Sequence, residues 1–429
     1  MKKFLLLALV VIMIAVPMGV FAQKTTLTLY YYYDATSPGA DTWPKLLDAF
    51  QQANPDIALQ VETLYNEPFH QKLQAMASSD TLPDLFFMWP DKRTGYLSGL
   101  SGSKPLAKDL RPWIKGHEKE FAPLGTAAQG KNGEIFELPE QVTATHVMYT
   151  NVALLKKFGL APAKTFAELL AQGPKIVAAG LVPIAMANQD GWQMQSCLLS
   201  TLTERAGGMA WFNKAISGKG ASFKDPQFVA ALDIIKQLSD NQMFAPGINT
   251  MQYSAGTDMF VNEQAPYYID GGWKVNDLRA AMNDEQKANT LLLTIPAIPK
   301  QKGVANSTAE VAGTGFGMNA KLSGAKAAAA WKWIWFYSGP VGSKIRMEGG
   351  ALPAYKVDTK GMTLDPLVVK LNDFIGKTPY GWVIDSKMDG TGMQVLHPAI
   401  QEMMFGKKTP QEVADTYEAW VAANDTARK

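Results

Sequence analysis

The sequence predicts an α/β protein of more than one domain, each domain a mainly parallel sheet flanked by helices. Three observations carry this. The 429 residues exceed one ordinary domain and fit two or three. Residues 25 to 88 alternate strand and helix in a β-α-β-α-β order. The middle of the chain repeats that theme before a helical last third. Parallel strands need crossovers, and crossover helices cover both faces of the sheet.

Leu27, Leu29 and Tyr31 alternate with Thr26, Thr28 and Tyr30, the period of a strand. A polar loop runs from Asp34 to Asp41. A helix starts near Pro44, gathers Leu46, Leu47, Phe50 and Ala53 on one side, and stops at Asn54-Pro55. Ile57, Leu59 and Val61 alternate again, and Phe69, Leu73 and Met76 recur at helical spacing. Leu85-Phe86-Phe87-Met88 is a short buried strand. Val147 to Tyr149, Val182 to Met186 and Tyr267 to Ile269 read the same way. Thr165 with Glu168 is a capping box. Ala325 to Tyr337 is apolar nearly all round, which predicts deep burial.

Composition narrows the function. With 47% hydrophobic and 19% charged residues the chain can fill large cores. Basic residues number 41 against 39 acidic ones, spread along the chain, so no basic patch points to nucleic acid. A lone cysteine, Cys197, excludes an internal disulfide and a multi-thiolate metal site. His70, His117, His146 and His397 are scattered, so neither a metal nor another cofactor is expected. Gly313-Thr314-Gly315-Phe316-Gly317 lacks the spacing of a dinucleotide loop, and no catalytic motif stands out.

The N-terminus has its own logic. Lys2 and Lys3 precede an apolar run from Phe4 to Val16, then Pro17, Gly19 and Val20-Phe21-Ala22. This is the layout of a secretory signal peptide, residues 1–22, cut after Ala22. Its apolar core is shorter than the roughly 20 residues a span needs. No cysteine near the cut offers a lipid attachment point, so a soluble exported product is expected. Removing two lysines leaves equal numbers of basic and acidic residues, a formal charge of zero.

Aromatic residues in turns are the candidate site. Trp43 precedes a helix. Trp89 ends a strand and is followed by Asp91, Lys92 and Arg93. Trp192 follows Asn188-Gln189-Asp190-Gly191, and Trp273 follows Asp270-Gly271-Gly272. In open α/β sheets, ligands bind beyond the carboxyl ends of strands. A flat ring suits the C–H face of a sugar, and adjacent acids suit its hydroxyls.

Eight segments, in this order, carry a resemblance. They are Phe50-Gln-Gln-Ala-Asn-Pro-Asp-Ile57, Leu82-Pro-Asp-Leu-Phe-Phe-Met88, and Asn132-Gly-Glu-Ile-Phe-Glu-Leu-Pro139 leading to Met148-Tyr-Thr-Asn151. Lys157-Phe-Gly-Leu160 with Thr165-Phe-Ala-Glu-Leu169 follows, then Asp270-Gly-Gly-Trp273. Pro296-Ala-Ile-Pro-Lys300, Gly313-Thr-Gly-Phe-Gly-Met-Asn319 and Gly406-Lys-Lys-Thr-Pro410 complete the set. The chain so resembles the family 1 extracellular solute-binding proteins, the periplasmic components of sugar ABC importers, which include maltose-binding proteins.

The resemblance implies a two-lobe periplasmic binding protein fold with solute held between α/β lobes, and a membrane permease as partner of a monomer. It implies lobe 1 over 23–141 plus 314–352 and lobe 2 over 142–313 plus 353–429. Chain crossings then fall near Glu140 to Val142, Val311 to Gly315, and Leu352 to Ala354, with the glycines at 313–317 serving a hinge. Asp91 and Lys92 fall at sugar-contacting positions, Glu140 at a hinge acid, and Trp192 and Trp273, with Gly272 and Asp270 beside them, at stacking positions of the second lobe. Tyr33, Asp34, Thr36 and Trp43 lie in a loop that touches ligand. Departures are the Tyr30–Tyr33 run and an insertion at 380–394, from which Trp382 and Asp389 are further candidates. The competing readings are a binder of polyamines or amino-sugar derivatives, whose charge the acids Asp34, Asp91, Glu140 and Asp270 would match, and a secreted carbohydrate hydrolase using two of Asp91, Glu140 and Asp270.

Overall fold

The computed structural model describes residues 24–89, 92–100, 103–122 and 129–424. Residues 1–22, where a signal peptide is expected, and Asp91 lie outside them. Among the described residues the strands are β1 (Thr25–Tyr32), β2 (Ile57–Leu64), β3 (Leu85–Met88), β4 (Glu137–Pro139), β5 (Val142–Ala144), β6 (Val147–Asn151), β7 (Ile184–Ala185), β8 (Tyr267–Asp270), β9 (Thr290–Leu293), β10 (Thr308–Ala312), β11 (Gly315–Met318) and β12 (Tyr380–Trp382). Among the described residues, no helix is long and apolar enough to cross a membrane.

The first lobe is a five-stranded sheet in the order β2-β1-β3-β11-β4. β1 runs parallel to β2 and β3. β11, arriving late in the chain, runs antiparallel to β3 and β4. The helix Thr42–Ala53 lays Trp43, Leu46 and Phe50 on the core. Gly324–Ser338, the helix expected from its apolar run, buries Trp333, Ile334 and Tyr337 there. Its half-buried Trp331 and Trp335 stack on each other on the outer side, where Lys332 pairs with Asp56 at 3.5 Å.

The second lobe is a four-stranded sheet, β7-β8-β6-β9. Here the expected parallel arrangement holds only for β7 with β8. β6 is antiparallel to both β8 and β9, so this sheet is mixed. Both faces are covered. Met148, Tyr267 and Ile269 face one core cluster, and Val147, Tyr149 and Tyr268 face another. Burial on two sides explains why these strands read as continuous apolar runs.

Chain crossings lie side by side between the lobes. The Glu140 N–H donates to the Thr314 carbonyl at 2.8 Å, and the Ala354 N–H to the Glu140 carbonyl at 3.3 Å. Gln141 bridges to Pro353. A small sheet, β12-β10-β5, continues the contact. The glycines here serve close approach. A Cβ on Gly313 would overlap the Gln141 carbonyl oxygen, and one on Gly315 the Leu138 carbonyl oxygen. Neither residue is at positive φ, so proximity between backbones, rather than an unusual torsion, requires glycine.

Candidate functional site

A cavity of about 260 Å³ opens between the lobes. Tyr32, Tyr65, His70, Trp89 and Arg93 line it from the first lobe. Trp192, Tyr253, Trp273, Lys274 and Asp277 line it from the second, and Glu140, Gln141, Gly313 and Thr314 from the crossings. A second cavity of about 190 Å³ shares Tyr65, Glu140 and Trp273 and reaches Tyr33, Asp34 and Trp43. A third, about 420 Å³, shares Glu67, His70 and Arg93 and reaches Lys92, Asp389 and His397.

Strand ends deliver the rings. Trp89 stands one residue beyond β3, and Trp273 in the turn beyond β8. Trp192 opens a π-helical stretch, Gln193–Leu199. Such wide turns are rare and recur at functional sites. In the first lobe the Trp89 ring lies 4.8 Å from His70 and 5.4 Å, edge-on, from Tyr32. The Arg93 guanidinium sits 5.5 Å over it. In the second lobe Trp192 lies 4.8 Å from Tyr253 and 6.1 Å from Trp273. The Lys274 ammonium is 4.0 Å from the Tyr253 ring centre and 2.8 Å from Asp277.

Polar groups between the rings are held by protein partners. Tyr337 donates to the Glu140 carboxylate, and Arg346 stands 3.8 Å from it. Burial holds the His70 imidazole well below its usual pKa, with Arg93 adding to the effect, so this ring is neutral at pH 7. Burial also pushes the Tyr253 hydroxyl well up, with Asp270 second.

The lobes also touch directly. Asp277 accepts from the Ser37 hydroxyl and, at 3.2 Å, from the Gly39 N–H. Asn276 donates to the Gly39 carbonyl at 2.9 Å, and Asn66 to Asp190 at 2.9 Å. Arg279 reaches Asp41 at 3.4 Å, and Arg93 reaches Asp385 at 3.5 Å.

The family of bacterial extracellular solute-binding proteins matches residues 35–344, more than half of the chain. The chain belongs to this family. A probable sugar-binding periplasmic protein of Mesorhizobium japonicum is 25% identical over 150 residues, 35% of each chain, so the match spans about a third of that relative. A chitin oligosaccharide binding protein superposes with a TM-score of 0.80 at 19% identity, over 92% of this chain and 98% of that one. The maltose/maltodextrin-binding domain of Bdellovibrio bacteriovorus, bound to maltotriose, gives 0.75 at 17% identity, over 93% and 99%. A Bacillus licheniformis sugar transporter protein with stachyose gives 0.72 at 18%, over 93% and 100%. At these identities the structural likeness establishes the two-lobe fold.

In this solute-binding protein the structure brings together Trp89, Trp192, Trp273 and Glu140 around the central cavity. Tyr33, Asp34 and Trp43 border the second. Several expectations need correction. Trp43 is only 6% exposed, stacks on Tyr31 at 4.0 Å and meets Trp333 edge-on at 5.7 Å, so it is chiefly core. Asp270 is fully buried, bonded to Tyr253, Tyr268, Gln193 and the Gly271 N–H, and lines none of the three cavities. Gly272 is buried, and a Cβ there would press on Leu371 at 3.1 Å, which makes it a packing glycine. Thr36 is exposed and bonds Asp34 at 2.6 Å, closing its own loop. The Tyr33 hydroxyl braces the same loop by donating to the Ala40 carbonyl at 2.9 Å. Lys92 faces the third cavity, as does Asp389. Trp382 turns away and donates to Asn213 at 2.8 Å.

The sequence alone does not single out Tyr65, Arg93, Tyr253, Lys274 and Asp277. Tyr65 directly follows β2, so the strand-end rule applied to Trp89 finds it too. Arg93 stands in the run after Trp89, beside the expected Lys92, and it is Arg93 that lines the central cavity.

Proposed function

We propose that the protein captures a sugar or short oligosaccharide between its lobes in the periplasm. It then delivers the solute, as a monomer, to the membrane permease of an ABC importer. The observation that carries this is the meeting of rings from both lobes on one cavity, with charged and amide groups between them. Rings stack on C–H faces and polar edges take hydroxyls. The sugars named for the structural relatives, and the description of the Mesorhizobium protein as probably sugar-binding, support the same class. A signal peptide over residues 1–22 would direct the chain to the periplasm, and its removal would leave a formal charge of zero, which suits an uncharged solute.

We take lobe 1 as 23–141 with 314–352 and lobe 2 as 142–313 with 353–429, pivoting at the crossings. Solute shifts the lobes toward closure by its differential affinity for the closed form. A dissociation constant around micromolar, about −8 kcal/mol, is expected. Against a polyamine, the cavity carries Arg93 and Lys274 beside its acids, and Asp270 is buried away from it.

Tryptophan fluorescence and titration calorimetry against mono- and oligosaccharides, with spermidine alongside, test the assignment. A saturable response to at least one sugar is expected. Silence across the sugar panel, or a response to spermidine alone, sinks it. Release of shorter sugars on long incubation would move the protein to the hydrolases.

A further inference from the structure

Trp273 borders both the first and the second cavity, and its indole N–H is already engaged by a protein partner. It donates to the Tyr253 hydroxyl at 2.8 Å. That hydroxyl donates in turn to Asp270 Oδ1 at 3.0 Å. The direction of this chain is fixed by its last member. Oδ1 of Asp270 also receives the Gly271 N–H at 2.7 Å, and Oδ2 receives the Tyr268 hydroxyl at 2.7 Å and the Gln193 amide at 2.8 Å. Gln193 cannot turn its amide round at no cost, because its oxygen accepts the Ala187 N–H and its nitrogen also donates to the Ile269 carbonyl.

Burial raises the Asp270 pKa, and the converging donors, with Lys274 nearby, oppose that shift. Held by these donors as a carboxylate, Asp270 only accepts, and an indole N–H only donates. Tyr253 has one proton. It goes to Asp270, which leaves an oxygen lone pair for Trp273. Burial makes such chained bonds stronger than they would be in water. The Tyr253 ring itself packs on Trp192 at 4.8 Å and meets the Lys274 ammonium at 4.0 Å.

We infer that Asp270 is a positioning residue: through the Tyr253 hydroxyl it pins the Trp273 ring so that its apolar surface, and not its N–H, is what the cleft presents to solute. The affinity consequence rests on the sugar reading above, whereas the orientation does not. Trp273 thereby selects for C–H surface, and the hydroxyls of the solute must find their partners elsewhere.

The test uses the whole protein carrying isotope-labelled tryptophan. The Trp273 indole N–H resonance is identified by its loss in Trp273→Phe. Tyr253→Phe keeps the ring and deletes the oxygen. The Trp273 resonance is expected to move, and the dissociation constant for the tightest panel sugar to weaken about tenfold. In Asp270→Asn the Gly271 N–H keeps the amide oxygen on the Tyr253 side, so the hydroxyl donates to a neutral acceptor. The resonance should move the same way by less, with a smaller loss of affinity.

An unmoved resonance in Tyr253→Phe overturns the relay, and if affinity falls all the same, the hydroxyl contacts solute directly. Asp270→Asn matching the unmodified protein in both readouts removes Asp270 from the device. Should that variant not fold, Tyr253→Phe decides alone. If no sugar binds the unmodified protein, the sugar reading fails while the resonance still judges the relay.

Discussion

Both lobes send aromatic rings to the same cleft, and they hold them by different means. In the first lobe the rings hold one another. Tyr31 stacks on Trp43 at 4.0 Å and meets Phe87 edge-on at 5.1 Å, and Trp89 leans on Tyr32 and His70. That wall is continuous with the hydrophobic core. In the second lobe Trp192 and Trp273 also rest on the core, but Trp273 is in addition tethered by polar bonds to a buried carboxylate, through Tyr253 to Asp270. A ring that is part of the core cannot be removed without disturbing the fold, whereas a ring held by hydrogen bonds at a cavity's edge can be removed from the site alone.

The largest expected effect follows from the first wall. Trp43→Ala should lower folding stability by about 3–5 kcal/mol, the usual cost of emptying a large aromatic site. Denaturant titration reads it, and an unshifted midpoint would erase the contrast between lobes. Next, Trp273→Ala should weaken sugar binding roughly 100-fold, the size of an interface hot spot, while the solute-free protein melts close to the unmodified temperature. A large drop in melting temperature would place this ring in the core as well.

Gly39→Val probes the contact between the lobes. A Cβ at Gly39 would collide with the Asn276 side chain of the opposite lobe, so the variant should resist closure. About tenfold weaker binding is expected, together with a radius of gyration by small-angle scattering that stays large at saturating sugar. Unchanged binding would mean the lobes need not come this near. The smallest effect concerns the second lobe's core. His146 takes the Ile295 N–H on Nε2 at 2.8 Å and donates from Nδ1 to the Cys197 carbonyl at 2.5 Å, which requires the neutral ring. Burial, with Arg205, holds its pKa down to about 3. Between there and the ordinary histidine value the unfolded chain binds the extra proton. Its contribution is therefore complete above about pH 6.5 and erodes as pH falls toward 3. His146→Gln should flatten the stability profile by about 1 kcal/mol between pH 6 and pH 5.

Much of this was legible in the sequence, and the misses have physical reasons. Strands β1 to β3 and β6 to β8 announce themselves by alternation or by apolar runs, whereas β4, β5 and β9 to β12, short or rich in glycine and threonine, do not. Trp89, Trp192 and Trp273 do meet at one cavity. Trp43 was open to a better reading, since 43, 46 and 50 form a helical stripe with Leu46 and Phe50. Asp270 shares a strand face with Tyr268, two residues earlier, and that face is core; alternation along β8 therefore pointed inward. Tyr253 had no such signal. It precedes a short helix in an irregular stretch, and only the folding of that stretch against β8 brings it to Trp273. The antiparallel β6 was hidden for a related reason, because a strand buried on both faces reads alike in either direction.

The order β2-β1-β3-β11-β4 has a consequence for how the chain comes into being. Between β3 and β4 the sheet needs a strand that is made only at residues 315–318. While the intervening second-lobe sequence is being synthesised, β3 keeps a bare edge and β4 has no neighbour. Bare edges are where strands of other chains attach, and late long-range pairing slows folding. The first lobe is thus begun first and completed near the end, so for most of its synthesis the polypeptide is an unfinished sheet that must be kept apart from its copies.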